Sequence, residues 1–322
     1  ASSSVPTRRR REKLNIDYLG FFISVIFISG FVLGFMEAPN WGWTSLPIMG
    51  LFLLSIISLI TFIGWEKKIP HPLVELTLFK NLTFTTLFSV LLIIQAVAIV
   101  FVFLAIFLQN VLHYSPLMAG LLLLPAMVPI MLMAPVGGHL RDKYGPTLPM
   151  FCGALLVVLS LIWIAIFSHN RGYAWLFPGL LVYGIGMPLI LSGIMATVMN
   201  MVNAQQRGMA SAIFNCARQF GNTIGLALLT GLLASVNKWQ LNSFLHHSPV
   251  PLSRLKEQQI DGLLVQSDQA MKAIAHLSLA HIELLKTAAL NAYTNAFSMT
   301  LLAAAILAFL SLFLILKIPR KQ

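Results

Sequence analysis

A chain of 322 residues with 58% hydrophobic and only 10% charged residues, and a mean hydropathy of +0.84, falls outside the soluble globular class, where about 25% of residues are charged. A formal net charge of +11 raises nucleic acid as a partner, but the basic residues flank apolar runs one segment at a time, and no nucleic-acid partner is expected. The two cysteines, Cys152 and Cys216, lie within apolar runs without metal-ligand spacing, and small buried packing residues are expected there.

Residues 1–16 hold Arg8, Arg9, Arg10, Arg11 and Lys13 and read as a cytoplasmic basic linker. The chain opens on Ala, and the run from Tyr18 to Met36 is too long for the core of a signal peptide and has no small-residue cleavage site after it. Apolar runs follow at 17–37, 46–65, 81–108, 116–136, 147–168, 173–199, 208–235 and 291–316, each near the ~20 residues that cross a bilayer as a helix. Lipid offers backbone polar groups no partner, so unbroken apolar runs must be helices. The expected fold is an all-α polytopic membrane protein with eight spans, its surroundings the lipid bilayer. The third run is longer than a bilayer needs and is expected to tilt or to extend beyond it.

Spans one and two (17–65) are expected to form a pair of linker helices. The connector 66–80, with Pro70 and Pro72, separates them from a six-helix bundle at 81–316, and 317–322 is a short tail. With the N-terminus inside, the inner segments hold fourteen basic residues: the five above, Lys67, Lys68, Lys80, Arg141, Lys143, Arg207, Lys317, Arg320 and Lys321. The short outer loops hold Arg171 alone. This asymmetry puts both termini in the cytoplasm of a cell with a single or inner plasma membrane. Trp41, Trp43, Tyr173 and Trp175 then fall at the outer interface, where aromatic belts sit. The polar stretch 236–290 becomes a long outer loop in which 253–261 and 267–276 are candidates for short helices. A folded lid and a passive loop are both open readings of it.

Between spans four and five lies a charged island, Gly137-Gly138-His139-Leu140-Arg141-Asp142-Lys143-Tyr144-Gly145-Pro146. It reads as a tight loop whose glycines permit the reversal. Pro146 would open the next helix, with Asp142 just ahead of that helix's positive N-terminal end. Span seven carries Asn215, Arg218, Gln219 and Asn222 at i, i+3, i+4 and i+7, one helical face that Ser211 extends. A polar stripe on a membrane helix must face protein or water. Arg218 is either a cavity cation or a structural arginine that snorkels or bonds to neighbouring loops. Gln95, alone in span three, is either a cavity hydrogen-bonder or an interhelical tie. Gly221 and Gly225, a small-xxx-small pair on span seven, are expected to serve close helix packing.

The island resembles the signature cytoplasmic loop of the major facilitator superfamily, roughly G-x-L-x-D-[RK]-x-G-[RK]-[RK]. Gly138, Leu140, Asp142, Lys143 and Gly145 match, whereas Pro146 and Thr147 stand where basic residues are usual. Three more segments resemble the EmrB/QacA type, a fourteen-span drug:proton antiporter subfamily. Arg8–Lys13 leads into Asp17-Tyr18-Leu19-Gly20 as before its seventh span, and His71–Asn81 resembles the connector before its ninth. Gln206-Arg207-Gly208-Met209-Ala210-Ser211, with Asn215 and Arg218-Gln219-Phe220-Gly221, resembles the start of its thirteenth. The resemblance implies the C-terminal part of such a transporter, with the six-helix N-terminal bundle missing. It also implies a cavity lined by spans three, four, six and seven, so that Gln95, Asn215, Arg218, Gln219 and Asn222 are substrate-cavity candidates. The 138–145 motif becomes a conformational loop.

By the same resemblance the substrate is a lipophilic or amphipathic small molecule, no cofactor or metal is required, and a periplasmic adaptor protein is a candidate partner. No Asp or Glu lies inside spans two to eight as bounded above, and Asp17 and Glu37 bracket span one. His113 and His169 sit at outer edges, where solvation is expected. Protons would therefore enter through the missing half. A carrier of the same fold for one defined solute, and a truncated remnant that inserts without transporting, stay open beside multidrug efflux. An enzyme is not expected, because no nucleophile–base set, acidic metal cluster or histidine cluster is present in the sequence.

Overall fold

The computed structural model describes residues 17–69, 72, 74–247 and 279–318. Helix α1 (Tyr18–Trp41) is capped by Asp17, whose Oδ1 accepts the Gly20 N–H at 3.0 Å. Gly42, with φ of +88°, ends it, and α2 (Leu46–Glu66) returns antiparallel with Pro47 in its first turn. A 3-10 turn at Leu76–Lys80 closes the connector. The bundle follows as α3 (Leu82–Ala98), α4 (Val100–Asn110), α5 (Pro116–Leu122), α6 (Leu124–Tyr144), α7 (Thr147–Phe167), α8 (Tyr173–Met201), α9 (Arg207–His247) and α10 (Leu279–Leu316). Among the described residues eight spans are long and apolar enough to cross a membrane, with α3–α4 and α5–α6 each forming one of them. The protein is an all-α polytopic membrane protein, as the apolar runs require.

Four features depart from the sequence reading. First, the third span is interrupted at Ile99, where the Val102 N–H bonds back to the Ile99 carbonyl (2.9 Å) in an i to i−3 step. Second, the island at 137–146 is mostly helix. α6 continues to Tyr144, and only Gly145, at φ +78°, reverses the chain before Pro146 caps α7. Arg141 and Lys143 suit the negative end of a helix, so nothing in Leu140–Tyr144 stops the ladder. Third, α9 runs on to His247 and α10 begins at Leu279, so much of 236–290 is helix. A helix needs no apolar residues to continue past an apolar run, so the polar stretch Lys238–Asn242 does not end α9. The segments 253–261 and 267–276 lie outside the described residues. Fourth, Cys152 is exposed and Cys216 is half-buried, and both are free thiols. They are small side chains on helix surfaces, where a core position was expected.

Lipid tails are as apolar as Leu, so association of these helices rests on close packing. α8 is the most enclosed span and lies against both α6 and α7. Its backbone meets α7 where Gly153 and Gly186 face each other's carbonyl oxygens, and meets α6 where Gly184 faces Ala126. Pro178 and Pro188 leave α8 a single helix. Phe107 of α4 stacks on Phe297 of α10 at 4.4 Å, and Phe84, Leu87, Ile94 and Phe214 bury the α3–α9 contact. The α1–α2 hairpin meets the bundle through α9, where Phe27 and Phe31 approach Phe220 at 5.6 and 5.1 Å between ring centroids.

Candidate functional site

Helix α9 divides into two faces. Ala210, Phe214, Ala217, Gly221 and Gly225 are buried. The two glycines let the α9 backbone touch α3 directly, for a Cβ at Gly221 would meet the Leu92 carbonyl and one at Gly225 the Ala96 backbone. The polar candidates occupy the other face. Asn215, Arg218 and Gln219 are exposed, and Ser211 and Asn222 are half-buried. Arg218 lies about 16 Å along the helix from Arg207 at the usual rise per residue. Its guanidinium has no hydrogen-bond or ion-pair partner among the described residues. A charge this far along a membrane helix is costly against lipid and calls for protein or water around it.

Gln95 is not on that open face. It is buried on α3, and its Cβ lies opposite Gly221 at the α3–α9 crossing. Of the five cavity candidates, four are together on α9 and the fifth is inside the helix contact behind them.

The loop motif has a different geometry from the one expected. Gly138, Leu140, Asp142 and Lys143 belong to the last turns of α6, and Gly145 alone makes the turn. Asp142 precedes the α7 cap by a full turn, so it does not sit at that N-terminus. Its Oδ1 instead accepts the Arg141 guanidinium at 2.6 Å, an exposed ion pair between neighbours, worth about 0–1 kcal/mol. Lys143 covers the Tyr144 ring at 5.2 Å.

A polar cluster that sequence reasoning missed joins the connector to α9 at this basic end. Glu66 closes α2, is buried, and accepts the Val74 N–H through Oε2 at 3.5 Å. The Glu75 Oε2 accepts from Gln206 Nε2, while the Glu75 N–H points at the Met209 sulfur (3.0 Å) and the Asn203 N–H donates to Gln206 Oε1 (3.1 Å). Asp17 accepts the Trp65 indole N–H at 3.1 and 3.2 Å, tying α1 to α2. No local spacing signals a contact between residues 75 and 206. By helix bounds, Glu66 is therefore a carboxylate at the end of span two, and Asp142 and Glu283 lie in the helical ends of α6 and α10. The sequence boundaries had left them outside.

At the opposite end His169 is paired and not simply solvated. It bonds Asn295 Oδ1 at 2.8 Å, Arg171 donates to Asn291, and Asn295 donates to Gln240 at 3.1 Å. These bonds tie the α7–α8 turn to α10 and α10 to α9. His113 is exposed at φ +57°. Trp41, Trp43 and Trp175 are exposed near the same end. Among the described residues no group of His, Cys, Asp or Glu could hold a metal ion.

Comparison with known proteins gives a consistent set. The model of the Major Facilitator Superfamily matches residues 1–226. The multidrug resistance protein Stp of Mycobacterium tuberculosis is 30% identical over 240 residues, covering 74% of this chain and 44% of Stp. The tetracenomycin C resistance and export protein of Streptomyces glaucescens is 27% identical over 234 residues, covering 71% of this chain and 43% of that protein. The multidrug transporter protein MdtP of Bacillus subtilis is 24% identical over 324 residues, covering 95% and 60%. The chain thus spans less than half the length of the first two. A crystal structure of a bacterial homologue of the lysosomal transporter Spinster, inward-facing and occupied, superposes with a TM-score of 0.55 at 14% identity. It covers 91% of this chain and 66% of that one, a likeness of fold alone.

Proposed function

Because the chain belongs to the Major Facilitator Superfamily, we propose that it forms the C-terminal part of a fourteen-span, proton-coupled multidrug efflux carrier of the EmrB/QacA type. The observation that carries this reading is the open polar face of α9, where Arg218, three turns from the helix start, is exposed and has no partner among the described residues. Such a face is one wall of a cavity whose other wall is a second bundle. The 44% share of Stp that this chain spans fits the same reading. In this account α1 and α2 are the linker spans, and α3–α10 make the second bundle. Asn215, Arg218, Gln219 and Asn222 line a path for a lipophilic or amphipathic substrate. Gln95 supports that wall from behind, where it faces Gly221. The coupling carboxylate belongs to the first bundle, since the acidic residues of the described spans sit at helix ends.

The 322-residue chain reconstituted alone should show no dye export driven by a pH gradient, and adding the six-span first bundle should restore export at least about tenfold. Robust gradient-dependent export by the chain alone would sink the reading.

The charge asymmetry supports a layout in the plasma or inner membrane with both termini and the Gly145-Pro146 turn on the cytoplasmic side. In a cysteine-free background, an impermeant maleimide applied to intact cells should label Thr44→Cys and His113→Cys but not Lys143→Cys. The opposite pattern would invert the topology.

A further inference from the structure

The contact between the α1–α2 hairpin and the bundle is not closed. A cavity of about 590 Å³ lies between them, walled by α1, α2, the connector, α3 and α9. Its lining is aromatic and aliphatic, with Phe27, Phe31, Phe62, Phe79, Phe88 and Phe220 contributing rings. The polar side chains that reach it are few. Ser24 already donates to the Phe21 carbonyl at 2.7 Å, and Cys216 is a thiol. Water gains nothing in such a space, since it needs two to four polar partners. Left empty, the space would forfeit dispersion contacts along every wall. The hairpin helices are among the least enclosed of the described spans, and the cavity lies along their contact with α3 and α9.

The charges that follow its lining residues in the chain point to the occupant. On α2 the lining residues Leu59 and Ile63 repeat every four residues, and the next position on that stripe is Lys67, at the basic end. On the connector, Phe79 lines the cavity and Lys80 follows it. Lys67, Lys68 and Lys80 are exposed. The acidic residues nearby are turned inward, with Glu66 buried, Glu75 bonded to Gln206 and Asp17 bonded to the Trp65 indole. The exposed lysines that continue these two lining segments offer cations to an anionic group, while the described lining is almost wholly apolar. Basic pockets between membrane helices bind phospholipid headgroups in this manner.

We propose that this cavity is a phospholipid site, holding one acyl chain between the hairpin and the α3–α9 face with the headgroup phosphate against Lys67 and Lys80. The lipid fills the hairpin–bundle contact that side chains leave open. It occupies a place beside the polar face of α9, because Ala212, Cys216 and Phe220 line the cavity and Asn215, Arg218 and Asn222 do not.

The test uses the 322-residue chain in nanodiscs containing a phospholipid with a photoreactive group near the end of one acyl chain. Crosslinks should concentrate on residues 24–31, 59–63 and 212–224. Ala212→Trp, which fills the cavity, should reduce them at least fivefold, and Lys67→Gln with Lys80→Gln about threefold, with labelling of the outward face of α6 unchanged. Should Ala212→Trp fail to fold, Cys216 reports instead. In a Cys152→Ser background, its alkylation by N-cyclohexylmaleimide in detergent should slow about tenfold when phospholipid is added. Crosslinks spread evenly over all lipid-facing helices, or unaffected by Ala212→Trp, would overturn the proposal. Displacement of the label by tetraphenylphosphonium but not by unlabelled phospholipid would overturn it too, assigning the cavity to a lipophilic cation.

Discussion

Gly225→Ala should lower the stability of the folded chain, while Gly231→Ala, six residues further along the same helix, should leave it unchanged or raise it. The first change puts a methyl group onto the Ala96 carbonyl oxygen, Cα and carbonyl carbon of α3. These are backbone atoms and cannot rotate aside, so the two helices must separate. Overpacking of this kind costs about 1–3 kcal/mol, more than the ~1 kcal/mol by which Ala is the better helix former. At Gly231 a Cβ meets nothing within 4 Å, and only the propensity gain remains. Gly225→Leu should go further and remove the monodisperse folded species altogether, since a branched side chain has no room at a crossing where a methyl group already clashes. Thermal unfolding of purified variants, followed by size-exclusion chromatography, separates these outcomes. Equal melting of Gly225→Ala and Gly231→Ala would mean that α3 and α9 do not touch at Ala96.

That pair of glycines also marks what the sequence can disclose. Their four-residue spacing on an apolar helix is enough to expect close packing, and the helix packed there is α3. The number and order of spans are equally legible, because bilayer thickness sets the run length and basic residues mark one set of ends. Helix ends are less so. Apolar content ends where the membrane ends, whereas a helix ends where its ladder is interrupted, which for α6 is Gly145, and α9 continues through polar residues to His247. The break at Ile99 lies in a run with neither Gly nor Pro, and nothing local foretells it. On the polar face of α9 the i, i+3, i+4, i+7 spacing predicts a shared face, and Asn215, Arg218, Gln219 and Asn222 do share one. Gln95 has no such pattern around it, and its burial against Gly221 emerges only from the fold. The tie between Glu75 and Gln206 is of the same kind, a contact between residues whose proximity is created by two helices between them.

Arg218→Ala should cost transport and not stability. The side chain is exposed and without a partner among the described residues, so its removal orphans no buried group. The usual penalty of about 1–3 kcal/mol for an unsatisfied buried partner therefore does not arise within this bundle. Facing lipid, the charge would cost about 2.5–3.5 kcal/mol at the centre of a span, and Ala would then raise the melting temperature. Facing a water-filled cavity shared with a second bundle, the charge is solvated and available to an anionic group of the substrate or to a carboxylate of that bundle. In the carrier that contains this chain, Arg218→Ala should reduce dye export at least about tenfold at unchanged expression and melting temperature. Arg218→Lys should restore only part of it, because an ammonium cannot reproduce the planar fork of donors that a guanidinium presents. A fall in melting temperature, with export lost only in proportion to the protein lost, would instead assign Arg218 a structural bond to the second bundle. Normal export with a raised melting temperature would put Arg218 against lipid and remove the cavity from this face of α9.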